Sequence, residues 1–325
     1  VDLYRGRFNV VLDYFVKNTN DMLAVVPVPG VVGFLPAATN VASARNKGVE
    51  LALTYRGEKG DWDYDINGNI SVIRNEITGL GEGGQPLSTG GVFGTGNDFV
   101  AYTDIGLPMA IFYGYETDGI FQTDEEAASN TAQPNAMAGD VIFVDQNGDG
   151  AIDEDDKTVI GNPHPDFTYG ITGNVKYKQF DLSLFVQGSH GNDLYNGIFR
   201  YDLNTTNLPV SALERWTGEG STNEHPRISH LDANQNNRVS DRFIEDGSFL
   251  RIKNLQIGYS LPDRVVEKMN IGKFRCYLSA SNLLTWTNYS GLDPEIGSRG
   301  TLEIGIDRGF YPVSRNFIAG VNVTF

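Results

Sequence analysis

Hydrophobic and polar residues alternate along much of this chain with a period of two, the pattern of strands that bury or shield one face. Across 61–74, Trp62, Tyr64, Ile66, Gly68, Ile70 and Val72 share one face, and Asp63, Asp65, Asn67, Asn69 and Ser71 share the other. Phe167, Tyr169, Ile171, Gly173, Val175 and Tyr177 repeat the scheme against Thr168, Gly170, Thr172, Asn174 and Lys176. Val49, Leu51, Leu53 and Tyr55 oppose Glu50, Ala52, Thr54 and Arg56, and Leu182, Leu184 and Val186 oppose Asp181, Ser183, Phe185 and Gln187. The chain ends on the same alternation, with Phe317, Ala319, Val321, Val323 and Phe325 against Asn316, Ile318, Gly320, Asn322 and Thr324. The predicted class is all-β.

Two architectures produce this pattern. In a sandwich the apolar face is the interior; in a transmembrane barrel it meets lipid and the polar face lines a wet lumen. Three features favour an antiparallel transmembrane β-barrel. Aromatic residues sit at predicted strand ends (Trp62, Tyr64, Phe167, Tyr169, Tyr177, Tyr259, Trp286, Tyr289), where interfacial girdles belong. Several strands run to about ten residues, the length of a tilted strand that crosses a bilayer. Short turns such as Tyr177-Lys178-Gln179 alternate with long polar connections over 76–96, 120–165 and 189–242. Short periplasmic turns with long extracellular loops are the asymmetry of outer-membrane barrels. No run of 18 apolar residues offers a membrane helix.

Composition narrows the function. Asp plus Glu (41) exceed Lys plus Arg (25), a formal charge of −16, so no basic stripe awaits nucleic acid. Glycine (38), Tyr (15) and Phe (18) suit twisted β-structure. The single Cys276 forms no internal disulfide and is expected to be a packed residue in its apolar-alternating run. The N-terminal Val-Asp-Leu-Tyr lacks a signal-peptide pattern, and residue 1 lies close to a strand, so the chain reads as a piece of something longer.

A final amphipathic strand ending in Phe325 resembles the C-terminal signal by which outer-membrane proteins are recognised for insertion. Seven blocks in order then resemble the C-terminal barrel of SusC/RagA-type TonB-linked outer-membrane proteins of Bacteroidetes. They are Asn46-Lys-Gly-Val-Glu-Leu51, Phe112–Phe121, Gly139–Gly150, Val159–Phe167, Glu245-Asp-Gly-Ser-Phe-Leu-Arg-Ile-Lys-Asn254, Ser281–Thr287 and Gly291-Leu-Asp-Pro-Glu295. The resemblance implies that residues 1–325 are the C-terminal part of a TonB-dependent barrel, without signal, plug or first barrel half. It implies an outer-membrane protein, set in outer-membrane lipid, that imports bulky nutrients, glycan oligosaccharides or peptides. Its implied partners are a SusD-like surface lipoprotein and, through the missing N-terminal part, the TonB complex. Two other functions stand beside it: a secreted calcium-dependent carbohydrate-binding β-protein, and a barrel enzyme of the phospholipase or protease kind. No enzyme is expected, because no catalytic constellation is found.

The sharpest chemical motif is Asp145-Gln-Asn147-Gly-Asp149-Gly150-Ala151-Ile152-Asp153-Glu-Asp-Asp156, within the 120–165 connection. It has the calcium-loop spacing, with hard oxygens at positions 1, 3 and 5, glycine at 6 and an acid at 12. Asp145, Asn147, Asp149, the Ala151 carbonyl, Asp153 and Asp156 are the predicted ligands of a structural Ca2+, and the alternative is an ion-free acidic turn. No helices flank it; Val141–Val144 and Thr158–Ile160 are predicted strands. His164, His190, His225 and His230 are dispersed, without zinc spacing. Ser189 and His190 read as a loop serine and a solvated histidine, since no nucleophile elbow accompanies them. The glycine-rich 81–84 and 90–96 segments read as loop tips. Phe121, Trp216 and Tyr201 are loop aromatics, suited either to stacking on sugar rings or to anchoring the loops.

Overall fold

The computed structural model describes residues 1–4, 6–25, 38–81, 84–95, 98–199 and 207–325. Among them the chain forms 18 strands, numbered β1 to β18 in chain order, and half of these make one wall. The wall strands are β1 (Asp2–Leu3), β2 (Phe8–Val25), β3 (Ala38–Lys59), β4 (Trp62–Leu80), β11 (Phe167–Tyr177), β12 (Phe180–His190), β15 (Phe249–Ser260), β16 (Lys273–Thr287) and β18 (Asn316–Thr324). They pair in that order, each antiparallel to the next, as an open sheet. The five predicted strands stand within β3, β4, β11, β12 and β18 with the expected faces.

Register lines the apolar positions up across the wall. Leu53 stands opposite Val10 and Gly68, Ile66 opposite Gly173, and Leu184 opposite Gly173 and Leu255. Leu182, Ile257, Leu278 and Ala319 form one continuous row. This face is exposed: Leu12, Leu53, Ile66, Ile171, Leu182, Ile257, Leu278 and Val321 are all left uncovered. An apolar row of that size open to water would be costly, at roughly 25 cal/mol per Å2; against hydrocarbon it costs nothing. Cys276 corrects an expectation here. It is exposed rather than packed, because it stands on this outward face opposite Tyr259 and Val321.

Strand length separates wall from superstructure. β11 and β12 have 11 residues each, while β2, β3 and β4 have 18, 22 and 19. At about 3.3 Å per residue and a tilt near 45°, 11 residues span roughly 25 Å along the normal. The longer strands therefore project beyond the apolar band at one end. That end also carries the long connections. The other end closes with Gly60-Asp61, with Lys178-Gln179, and with a 261–272 segment holding the short helix α2 (Asp263–Lys268).

The long connections build small sheets of their own. β5 (Leu87–Phe93), β6 (Asp98–Thr103), β7 (Ile111–Gly114) and β10 (Thr158–Gly161) pair in the order β10-β7-β6-β5. β8 (Thr117–Ile120) pairs with β9 (Val141–Phe143), and β13 (Asp193–Asn196) lies between β14 (Ile244–Asp246) and β17 (Ile306–Asp307). The short helix α1 (Asp124–Ser129) lies between β8 and β9. The connections expected as polar loops thus carry the hydrophobic core: Phe93, Val100, Ala101, Phe112, Tyr195, Val239 and Ile306 are buried together. A second cluster joins Ala42, Ala44, Ile77 and Leu80 on the projecting strand ends to Leu87. The wall has no core of its own, as expected of a sheet set between hydrocarbon on its apolar face and water on its polar one.

Candidate functional site

The wall's polar face is the first functional surface. Cross-strand pairs tie it together: Asn46 with Asn75 (2.9 Å), Thr54 with Asn67 (2.7 Å), Arg56 with Asp65 (2.7 Å), Asn174 with Ser183 (2.8 Å) and Asp181 with Arg275 (2.9 Å). Such pairs hold a hydrated sheet face in register while leaving lone pairs and N–H groups for water or solute. An open cleft lies along this face, lined by Asp13, Glu50, Asn69, Ser71, Thr168 and Gln187 among others. Asp181, Asn316 and Asn322 share the face by register.

The turn end of the outward face carries an aromatic belt. Trp62 packs on Tyr177 at 4.4 Å, Phe180 on Tyr259 at 4.8 Å, and Tyr55 on Tyr64 at 5.7 Å between ring centroids. Amphipathic rings gather where hydrocarbon gives way to headgroups. Tyr289, expected in a girdle, is buried instead; its hydroxyl donates to Asp307 at 2.7 Å, and burial pushes its pKa far up.

The acidic loop is a tight, internally hydrogen-bonded turn. Gly150 takes φ +86°, the left-handed region that glycine adopts without a Cβ penalty. Asp145 accepts from the amides of Gly148 (2.7 Å) and Gly150 (2.9 Å), Asn147 from Asp149 (2.8 Å), and Asp149 from Ala151 (2.9 Å). Asp156 is fully buried and accepts from Gln146 (2.9 Å) and Asp153 (2.8 Å). A 3-10 turn at Glu154–Asp156 precedes β10, and strands flank the loop as expected.

Carboxylate repulsion in this loop is relieved internally. Lys157, 11% exposed in its side chain, binds Asp98 and Glu154, each at 2.7 Å. Burial pulls the Lys157 pKa down, but its two carboxylate partners outweigh that and leave it raised. Among the described residues no three His, Cys, Asp or Glu side chains converge to hold a metal. The loop geometry is thus that of an Asx-stabilised turn in which Asp145, Asn147 and Asp149 already serve backbone amides.

The remaining candidates are structural. Phe121 is buried, and the Trp216 indole N–H donates to Gln122 at 3.2 Å while its ring lies against Gly139, so both anchor loops. Tyr201 and Gly96 lie outside the described residues. Ser189 and His190 belong to β12 rather than a loop; Ser189 donates to Asn192 and His190 packs on Phe167. His164, between β10 and β11, has its Nε2 2.7 Å from the Met109 carbonyl, and burial lowers its pKa. An unforeseen aromatic pair, Tyr102 of β6 stacked on Tyr113 of β7 at 4.4 Å, is half-buried. Burial, then the neighbouring Asp104 carboxylate, push the Tyr102 pKa up to about 12.

Comparison with known proteins places this architecture. The model of the TonB dependent receptor-like β-barrel family matches residues 1–283. TonB-dependent receptor P3 of Formosa agariphila is 31% identical over the whole chain, which covers 33% of that protein. TonB-dependent receptor SusC of Bacteroides thetaiotaomicron is 29% identical over 98% of the chain, covering 30% of its own length. Among solved structures, the RagAB peptide importer in its closed-closed state superposes over the full chain with a TM-score of 0.79 at 27% identity, covering 34% of that chain. The chain spans about a third of the length of these relatives. Outward apolar rows, a bonded polar inner face, short turns and long loops are accordingly those of part of a transmembrane barrel, and the chain belongs to the TonB-dependent receptor-like β-barrel family.

Proposed function

We propose that this chain forms part of the wall of an outer-membrane transporter that imports bulky nutrients, oligosaccharides or peptides. In that reading the polar face lines the passage, the TonB complex supplies the energy and a SusD-like surface lipoprotein is the partner at the loop end. The observation that carries it is the full-length superposition on an importer's barrel, together with the exposed apolar rows. Barrels of this transporter class hold about 22 strands and a plugged lumen, so the nine strands here contribute an arc of one. Deleting the gene of the full-length parent tests the reading. Loss of energy-dependent uptake of labelled oligosaccharides or peptides supports import. Recovery of the parent in the secreted, detergent-free fraction, binding glycans only with calcium, supports the secreted alternative.

A structural calcium ion in the 145–156 loop is proposed alongside, on the ligand spacing and the Gly150 conformation. Asp145, Asn147, Asp149, the Ala151 carbonyl, Asp153 and Asp156 would hold it, adding rigidity to the connection and no chemistry to transport.

A further inference from the structure

Arg251 occupies an unusual position. It stands on β15 opposite Gln187 of β12 and Thr285 of β16, on the wall's polar face. A cation there should be wet, yet Arg251 is only 2% exposed. The cover is the Asp293-Pro-Glu295 segment of the 288–315 connection. The guanidinium uses all three nitrogens: Nε donates to Thr285 (2.8 Å), Nη1 to Glu295 (2.8 Å) and Nη2 to Asp293. Lys253 reaches the same Glu295 oxygen at 2.8 Å, and Gln187 donates to the other at 3.2 Å.

Lys253 sits at a register break. Against β12 it is the extra residue, because Val186 pairs with Ile252 and Phe185 with Asn254; against β16 it stands where two residues, Asn282 and Leu283, fall between Leu284, the partner of Ile252, and Ser281, the partner of Asn254. A bulge of this kind re-aims a side chain, here toward the carboxylate that Arg251 already holds.

The fastened segment is tied at both ends. Asp293 also accepts the Val313 amide at 3.1 Å, joining the start of the connection to its return before β18. Farther along, Ile306 is buried among Phe93, Phe112 and Tyr195, and Ile306 and Asp307 pair in parallel with Tyr195 and Asn196. Thr89 donates to the Leu302 carbonyl at 2.7 Å. The connection therefore leaves β16, presses on the inner face at β15, and packs into the core shared by the β4–β11 and β12–β15 connections before returning to β18. A half-desolvated carboxylate pair on a fully buried guanidinium does not release easily, because each separated charge would stay poorly hydrated.

We propose that Arg251 and Lys253 are positioning residues that hold the 288–315 connection as a fixed strap over the inner face, where it limits the size of solute that passes. The size limit rests on the import reading; the strap's placement does not. The test uses the full-length parent in a Cys276→Ser background, spin-labelled at Leu292 on the strap and Leu278 on the outward wall, both largely exposed. A single narrow distance is expected in the parent and its loss in Arg251→Met/Lys253→Met, with the heat-resistant barrel band in SDS retained. Glu295→Gln, which leaves Arg251 and Asp293 paired, is expected to broaden the distance partially and covers the case in which the double variant fails to assemble. Uptake of size ladders of labelled oligosaccharides and peptides is expected to shift toward longer members when the clamp is removed. An unchanged distance in both variants overturns the strap, and a released strap with an unchanged size profile overturns its sieving role. Absence of uptake of either ladder by the parent sinks the import reading, leaving the distance to judge the strap alone.

Discussion

Placing one arginine on the outward face at successive depths should reveal the membrane's position on the wall. β12 begins in the aromatic belt at Phe180, which pairs with Tyr177 and Tyr259. Val186 lies six residues on, about 20 Å along the strand at ~3.4 Å per residue and about 14 Å up at a tilt near 45°. The apolar band of such barrels is roughly 25 Å tall, which sets Val186 close to its midplane and Leu182, only about 5 Å up, near the boundary. Val186 also pairs with Ile171 and Ile252, so no polar neighbour shelters a charge there. Val186→Arg is expected to cost about 2–4 kcal/mol and Leu182→Arg about 1 kcal/mol or less. Ser183→Arg, facing the lumen beside Asn174, should cost less than Val186→Arg. The assay is guanidinium unfolding of the full-length parent in lipid bilayers, read as the shift in midpoint at constant slope. Equal costs at Val186 and Ser183, or a larger one at Ser183, would refute the assignment of faces.

Asp145→Ala with Asp149→Ala should abolish calcium binding to the loop and leave the barrel folded. Calorimetry of the parent checks it, and no heat with millimolar calcium would reduce the motif to its Asx turn. His164 is held neutral by burial, so the unfolded state binds the extra proton and stability is lost as pH falls below the ordinary histidine range near 6.5. Proteolysis of the 160s junction should accelerate on acidification, and His164→Phe should remove that pH dependence. Lys157→Met leaves Asp98, 13% exposed in its side chain, without its cation. It should destabilise the loop sheet by several times the ~1 kcal/mol ceiling of an exposed pair, seen as faster amide exchange across β6 and β10.

The alternation spelled out the wall because a strand between lipid and water must obey a strict two-residue rule. β11 matches the predicted Phe167–Tyr177 segment, and the turn at Lys178-Gln179 follows it directly. The superstructure was less legible. β7, β8, β9 and β13 have three or four residues each, too few for a period to show, and both their faces are partly buried. Cys276 misled because an apolar neighbourhood in sequence does not say whether the apolar surroundings are protein or lipid. Gly150 takes the left-handed turn that glycine at its place in the motif allows, and the same glycine and Asx geometry serves an ion-free turn. The Arg251 clamp joins two of the seven recognised blocks, Glu245–Asn254 and Gly291–Glu295, across 42 residues. Nothing local announces that pairing; only the bulge at Lys253 and the return of the chain over β15 create it.

Surface labelling of the intact parent cell tests the transmembrane wall most directly. Single cysteines at Asn147, in the exposed acidic loop, and at Lys178, in the turn between β11 and β12, are placed in the Cys276→Ser background and exposed to a membrane-impermeant maleimide. A wall crossing the outer membrane with its long connections outside predicts labelling at 147 on whole cells and at 178 only after the outer membrane is opened. Equal labelling of both positions on whole cells, or labelling of 178 alone, would contradict it.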